Sequence, residues 1–157
     1  MNGESEPKPL FIMMVGIPGS GKSQICEEYA NQGKIIICPD ELRKSNGGVD
    51  FHESDELVWL TAKIDVVKYL NLGYDVVLDA TNTISERRVN FIQGLPRCQL
   101  MARVVECEPM MAIARILFDL LTGKDRSSVP PDVVMRYYKN MGKVRHELMD
   151  EGFEEMR

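Results

Sequence analysis

The sequence predicts an α/β protein: a parallel sheet of four to five strands, helices on both of its faces, and a small polar lid. Three observations predict it. Short apolar runs rich in β-branched residues alternate with longer segments of helical periodicity. The first of these runs passes through a glycine-rich turn directly into a helix. The later runs are separated by whole helices, the kind of connection that parallel pairing requires.

Pro9-Leu10-Phe11-Ile12-Met13-Met14-Val15 has the length of a buried strand, and Ser23 to Asn31 reads as the helix that follows it. Lys34-Ile35-Ile36-Ile37-Cys38 is a second strand, ended by Pro39. Asp40 to Ser45 reads as a short helical turn, and Asn46-Gly47-Gly48 as a loop. A helix is expected over Asp55 to Asn71, with Leu57, Leu60, Ile64 and Val67 on one stripe, Trp59 and Tyr69 off it as packing residues, and Gly73 as its stop. Asp75 to Leu78 is a third strand. Thr83 and Glu86 have capping-box spacing, which predicts a helix from about Ile84 to the Gly94-Leu95-Pro96 break. Gln99 to Glu106 is a fourth strand, and Pro109 opens a helix to about Leu121. Thr122 to Val129 is a polar loop, the lid (about 122–130), before a last helix from Pro130 or Pro131 to about Asp150. A fifth strand is expected after Gly152-Phe153; either it is very short or the sheet has four strands.

The turn after the first strand carries chemistry. Gly16 to Ser23 reads Gly-Ile-Pro-Gly-Ser-Gly-Lys-Ser and fits G-x-x-x-x-G-K-[ST], the phosphate-binding loop of nucleoside-triphosphate proteins. Glycines let the backbone wrap a phosphate where a Cβ would clash. Converging N–H groups and the helix dipole make an anion site. Gly16, Pro18, Gly19, Ser20, Gly21, Lys22 and Ser23 are therefore the expected contacts to ATP or another nucleoside triphosphate. Lys22 reaches for the β- and γ-phosphates, and the Ser23 hydroxyl is placed to sit on Mg²⁺.

Active sites of open α/β sheets lie at the carboxyl ends of the strands. Asp40-Glu41-Leu42-Arg43 follows the second strand and Asp79-Ala80-Thr81-Asn82 the third. A carboxylate such as Asp40 can take the proton of an acceptor hydroxyl during phosphoryl transfer. Arg43, three residues on, shares its helical face and can clamp an acceptor phosphate. Equally, Asp40 can be only an N-cap and Arg43 a surface charge. Asp79 is placed either to hold a Mg²⁺-bound water or to orient Arg43 or the loop, while Thr81 and Asn82 can simply begin the next turn.

Bulk composition narrows the possibilities. The chain has 157 residues, 44% hydrophobic and 27% charged, as one globular domain requires. We expect a loose polar tail over 1–9 and a single domain over 10–157. No apolar run approaches the roughly 18 residues of a membrane span. With no apolar segment in Met1 to Lys8, no signal peptide is expected, and a cytoplasmic location follows. Cys26, Cys38, Cys98 and Cys107 form no C-x-x-C pair and read as reduced thiols rather than zinc ligands. The net charge of −5 argues against a broad electrostatic grip on long nucleic acid. Locally the balance reverses: seven basic residues against three acidic ones between Arg115 and Arg145 leave that segment at +4.

With these motifs in place, the chain resembles the kinase domain of the 5′-polynucleotide kinases of phage and bacterial nucleic-acid end repair. Gly16 to Ser23, Asp40-x-x-Arg43, Asp79-Ala80-Thr81-Asn82 followed by Glu86-Arg87-Arg88, and Val129-Pro130 after a basic lid carry the resemblance, in order, from about residue 10 to 153. It implies a P-loop kinase-like fold, with ATP and Mg²⁺ used to phosphorylate a 5′-hydroxyl end of RNA or DNA. It implies Lys22 and Ser23 at the phosphate and metal, Asp40 as general base, Arg43 on the acceptor phosphate and Asp79 as the strand-end acid. Lid arginines grip the donor in that family. Here Arg115 is followed by the apolar Ile116-Leu117-Phe118, so Arg126, then Lys124, then Arg115 are the expected lid contacts. No phosphatase is implied. Two other functions fit the same residues: a small-molecule phosphotransferase acting on a nucleoside, sugar or antibiotic, and a non-catalytic nucleotide-binding module.

Overall fold

In the computed structural model, residues 5–45, 51–126 and 128–157 are described, 45 and 51–54 by their backbone alone. The chain runs β1 (Leu10–Val15), α1 (Lys22–Asn31), β2 (Ile35–Ile37), α2 (Pro39–Ser45), α3 (Phe51–Asn71), β3 (Val76–Leu78), α4 (Ser85–Ile92), β4 (Gln99–Val104), α5 (Pro109–Leu121), α6 (Pro131–Asp150) and β5 (Glu154–Glu155). The strands form one sheet in the order β2-β3-β1-β4-β5, and every pairing is parallel. The fifth strand exists but is two residues long, with Met101 opposite Glu154. The predicted Asn46-Gly47-Gly48 loop lies outside the described residues.

β1 occupies the centre, and its continuous apolar run follows from that place. Phe11, Met13 and Val15 point into a core shared with α3, α4 and α6, whereas Ile12 and Met14 pack on the other face with Cys26 and Tyr29 of α1. A strand covered on both faces has no use for polar alternation. A third cluster, Ile17, Ala112, Ile116 and Val134, joins the phosphate loop to α5 and α6. The third strand begins at Val76 rather than Asp75; the Asp75 carboxylate accepts the Leu10 N–H at 2.8 Å, and its carbonyl accepts the Ile35 N–H at 2.9 Å.

Two local expectations are corrected. The buried face of α3 is Val58, Ala62, Val66 and Leu70; Leu57, Leu60 and Ile64, from the expected stripe, are more than half exposed. Apolar residues populate two faces of this helix, and periodicity alone cannot say which one meets the sheet. The capping box also fails. Ile84 is the N-cap of α4, with no side-chain cap, and Thr83 is instead buried, its hydroxyl accepting from Asn140 Nδ2 at 3.4 Å. A polar side chain drawn into the contact with α6 is unavailable to the end of its own helix.

Candidate phosphate-loop active site

The ends of β1, β3 and β2 converge on one crevice. Gly16 N–H donates to the Thr81 carbonyl at 3.0 Å, and Asn82 Nδ2 donates to the Met14 carbonyl at 2.7 Å. The Asp79-Ala80-Thr81-Asn82 turn is thus tied to the start of the phosphate loop on both sides. Asn82 holds a positive φ of 49°, which asparagine tolerates better than most residues.

The glycines of the loop answer to the packing behind it. A Cβ on Gly16 would lie 2.8 Å from the Val105 carbonyl oxygen, and one on Gly19, at φ +80°, would lie 2.6 Å from that of Ala112. The loop is pressed against β4 and α5 with no space for a side chain on that side.

Lys22 is 8% exposed. Its ammonium donates to the carbonyls of Gly16 at 2.9 Å and Ile17 at 2.8 Å, and to Ser20 Oγ at 3.4 Å. None of these partners carries a charge, and burial lowers its pKa to about 8, opposed chiefly by Asp79. A buried cation among neutral dipoles fits a bound polyanion, which would supply the missing charge. Ser23, one residue into α1, is exposed. Burial pushes the Asp79 carboxyl above its ordinary range; Lys22 and a hydrogen bond with the Cys26 thiol act the other way. The hydroxyl of Ser23 and the carboxylate of Asp79 are oxygen donors suited to Mg²⁺.

Asp40 lies in the first turn of α2 with its side chain largely in solvent, and its Oδ1 accepts from Arg43 Nη1 at 2.5 Å. Its charge reaches both Lys22 and Asp79, raising the pKa of each. Arg43 also donates from Nε to Asp55 Oδ1 at 3.1 Å and pairs with it through Nη2. Burial works against the Arg43 charge, but Asp55 and then Asp40 hold its pKa above the ordinary value.

Among the cations of the lid region, Arg126 and Lys124 both pair with Asp119 near the end of α5. Arg126 nevertheless acts on Lys22, lowering its pKa. Arg115, ranked third from sequence, meets the phosphate loop itself, with Nη1 3.4 Å from the Gly19 carbonyl and 3.7 Å from Cys107 Sγ. The apolar Ile116-Leu117-Phe118 that follows it does not displace it, because Ile116 alone of the three is buried.

Two features were missed by sequence reasoning. Asp55 is twelve residues from Arg43, and no local pattern links them. Arg88 is 1% exposed. Its guanidinium donates to Glu151 through Nε and Nη2, both at 2.8 Å, to Glu147 at 2.7 Å and to the Asn82 carbonyl at 2.9 Å. This cluster ties α4 and α6 to the turn below the phosphate loop. A signal did exist: Arg88 and Phe91, three apart on α4, share the face that is buried. Beside the turn, between α3 and α4, opens a cavity of about 390 Å³ that Asp55, Thr81, Asn82 and Trp59 help to line.

A model of the AAA domain family matches residues 11–142. No curated protein matches the chain by sequence. Among solved structures it resembles a chain of the Pnkp1/Rnl/Hen1 RNA repair complex, at TM-score 0.79 and 16% identity, covering 94% of this chain and 48% of that one. It thus spans about half the length of that relative. It also resembles a gluconokinase from Sinorhizobium meliloti (TM-score 0.55, 17% identity, 93% of each chain). A third likeness is to a deoxyadenosine kinase from M. mycoides with bound dATP (TM-score 0.56, 17% identity, 94% of this chain and 90% of that one). At these identities the likeness is one of fold, that of the P-loop kinases. Among the described residues no helix is long and apolar enough to cross a membrane.

Proposed function

The chain belongs to the AAA domain family, and on that premise we propose that it is an ATP-dependent kinase of 5′-hydroxyl polynucleotide ends. The observation that carries this reading is the Asp40–Arg43 pair set in one electrostatic neighbourhood with Lys22 and Asp79. An acceptor whose hydroxyl comes with a phosphate nearby needs both a base and a guanidinium on one side of the donor site.

In this mechanism Asp40 takes the proton of the 5′-hydroxyl while that oxygen bonds to the γ-phosphorus and the bond to the β–γ bridging oxygen breaks. Asp40 Oδ1 is engaged by Arg43, and Oδ2, with no hydrogen-bond partner among the described residues, is left for the hydroxyl. Arg43 turns from Asp55 to the acceptor phosphate. Lys22 exchanges its carbonyl partners for phosphate oxygens, and Arg126 leaves Asp119 to share the charge of the transferring group. Mg²⁺, held through Ser23 with Asp79 close by, would supply further neutralisation of the donor phosphates.

The test is transfer of labelled γ-phosphate to matched 5′-hydroxyl RNA and DNA oligonucleotides. Asp40→Ala is expected to reduce turnover roughly 100- to 10,000-fold while ATP binding persists. Wild-type turnover in that variant refutes the base. A second reading, a small-molecule kinase, is favoured by one observation: the gluconokinase and deoxyadenosine kinase likenesses span nearly the whole of both chains. Transfer to gluconate or to a free nucleoside, but to no oligonucleotide, would establish it instead.

A further inference from the structure

We propose that the cavity between α3 and α4 is a subsite for one nucleotide of the acceptor, with its base against Trp59 and its phosphate shared between Arg43 and Arg87. The proposal rests on the kinase reading and narrows it. The acceptor must carry both a base and a phosphodiester or 3′-phosphate, which excludes free nucleosides and sugars as good substrates.

Position is the first argument. The cavity is bounded by Thr81 and Asn82, the residues bonded to Gly16 and Met14 at the root of the phosphate loop. On another side it is bounded by Asp55, the partner of Arg43. A chain leaving the Asp40–Arg43 pair therefore enters this cavity next. Its volume of about 390 Å³ is near the lower end of the range for small-ligand pockets, a size for one nucleotide unit and not for a duplex.

Chemistry is the second. Trp59 is half-buried, and the Phe91 ring packs against it at 77° with 6.1 Å between centroids, which fixes the indole in place. Tyr137 contributes a second aromatic side chain. Fixed aromatic side chains are what unpaired bases stack upon. Arg87 is exposed and, among the described residues, has no hydrogen-bond or ion-pair partner, although its neighbour Arg88 has several. Lys63 adds a second positive charge, held by the Gln93 carbonyl at 2.6 Å and the Asn90 carbonyl at 3.4 Å. The one carboxylate in the lining, Asp55, is outnumbered by these two cations, whether or not Arg43 stays paired with it. The cavity is therefore net cationic as well as aromatic, although the chain as a whole carries −5.

Trp59 is the only tryptophan of the protein, so its emission reports on the cavity without any transfer having to occur. The full chain is titrated with a 5′-hydroxyl trinucleotide, with the corresponding nucleoside and with its 3′-monophosphate, and phosphoryl transfer to each is measured in parallel. The expected result is a saturable change with the trinucleotide and the 3′-monophosphate, and binding at least about tenfold weaker for the nucleoside. Arg87→Ala should weaken the phosphate-bearing ligands about tenfold, with ATP binding unchanged, and Arg87→Lys should restore part of the loss. In transfer, the loss appears in the KM for the oligonucleotide and not in kcat. Equal responses to nucleoside and trinucleotide, or an Arg87→Ala variant with wild-type affinity and KM, overturn the subsite. Transfer to oligonucleotides with no effect of Arg87 overturns it while leaving the kinase reading in place. Arg87-dependent emission changes with transfer to no acceptor overturn the acceptor assignment together with the kinase reading, leaving a nucleotide-binding cavity.

Discussion

Lys22 and Arg43 are cations on the same crevice, held in opposite ways. Lys22 is buried and bonded to two main-chain carbonyls and a hydroxyl, with no carboxylate in direct contact among the described residues. Arg43 is clasped by two carboxylates whose side chains are more than half exposed. The first arrangement is fixed by the backbone and lacks a negative charge. The second sets two carboxylates, both more than half exposed, against one guanidinium. On the proposed reading, the donor site is formed before ligand arrives and gains its counter-charge on binding, whereas the acceptor site must exchange one anion for another.

The contrast breaks or sharpens through four measurements. The largest effect is expected for Lys22→Ala. Removing a preorganised charge from a buried site should lower transfer about 1,000-fold, roughly 4 kcal/mol, in single-turnover assays. A loss of only a few-fold would mean that the buried ammonium is structural.

Next comes the scaffold between the two sides. Arg88→Met leaves Glu147 and Glu151 without their guanidinium, and breaking a buried ion cluster on one side should cost roughly 3 kcal/mol in urea unfolding. An unchanged midpoint would show that the turn below the loop stands without the cluster.

The third is a pH effect. Lys22 has a folded pKa of about 8 against 10.5 in the unfolded chain. Between these values the unfolded state binds more protons, so stability rises with pH, by about 2–3 kcal/mol from this group. Below pH 8 the burial penalty is fully present. Unfolding midpoints at pH 7.5 and 10, with Lys22→Met as the reference, isolate the term; saturating ATP should abolish it, because phosphates restore the charge. A wild-type curve parallel to the reference would place Lys22 in a solvated setting.

The smallest effect is on the exposed pair. Arg43→Lys should change stability by under about 1 kcal/mol, since surface ion pairs contribute little, while raising the KM for the oligonucleotide. A large drop in melting temperature would make Arg43 part of the scaffold and erase the contrast.

The fold was legible because β1 and the phosphate loop leave little freedom: an apolar run, a Gly-Lys-Ser turn and a helix occur together in few ways. α5 was placed to its ends, since Pro109 sets its start. The α3 face was not legible. Val58, Ala62 and Val66 compete with an equally periodic Leu57, Leu60 and Ile64, and only the sheet decides between them. Asp40, Arg43 and Asp79 were singled out from their places at strand ends. Asp55 was not, because its role depends on α3 passing α2 at one particular height.

The order of residues by itself determined where the phosphate loop sits and which lysine it holds, because Gly16 to Ser23 are contiguous and their geometry is local. Only the tertiary structure decided what each charge meets: that Lys22 finds neutral dipoles, that Arg88 is buried against Glu147 and Glu151, and that Arg87 beside it, unpaired among the described residues, lines a cavity. Pairing of charges is a property of distances between elements far apart in the chain, and those distances are set by the packing of the whole core.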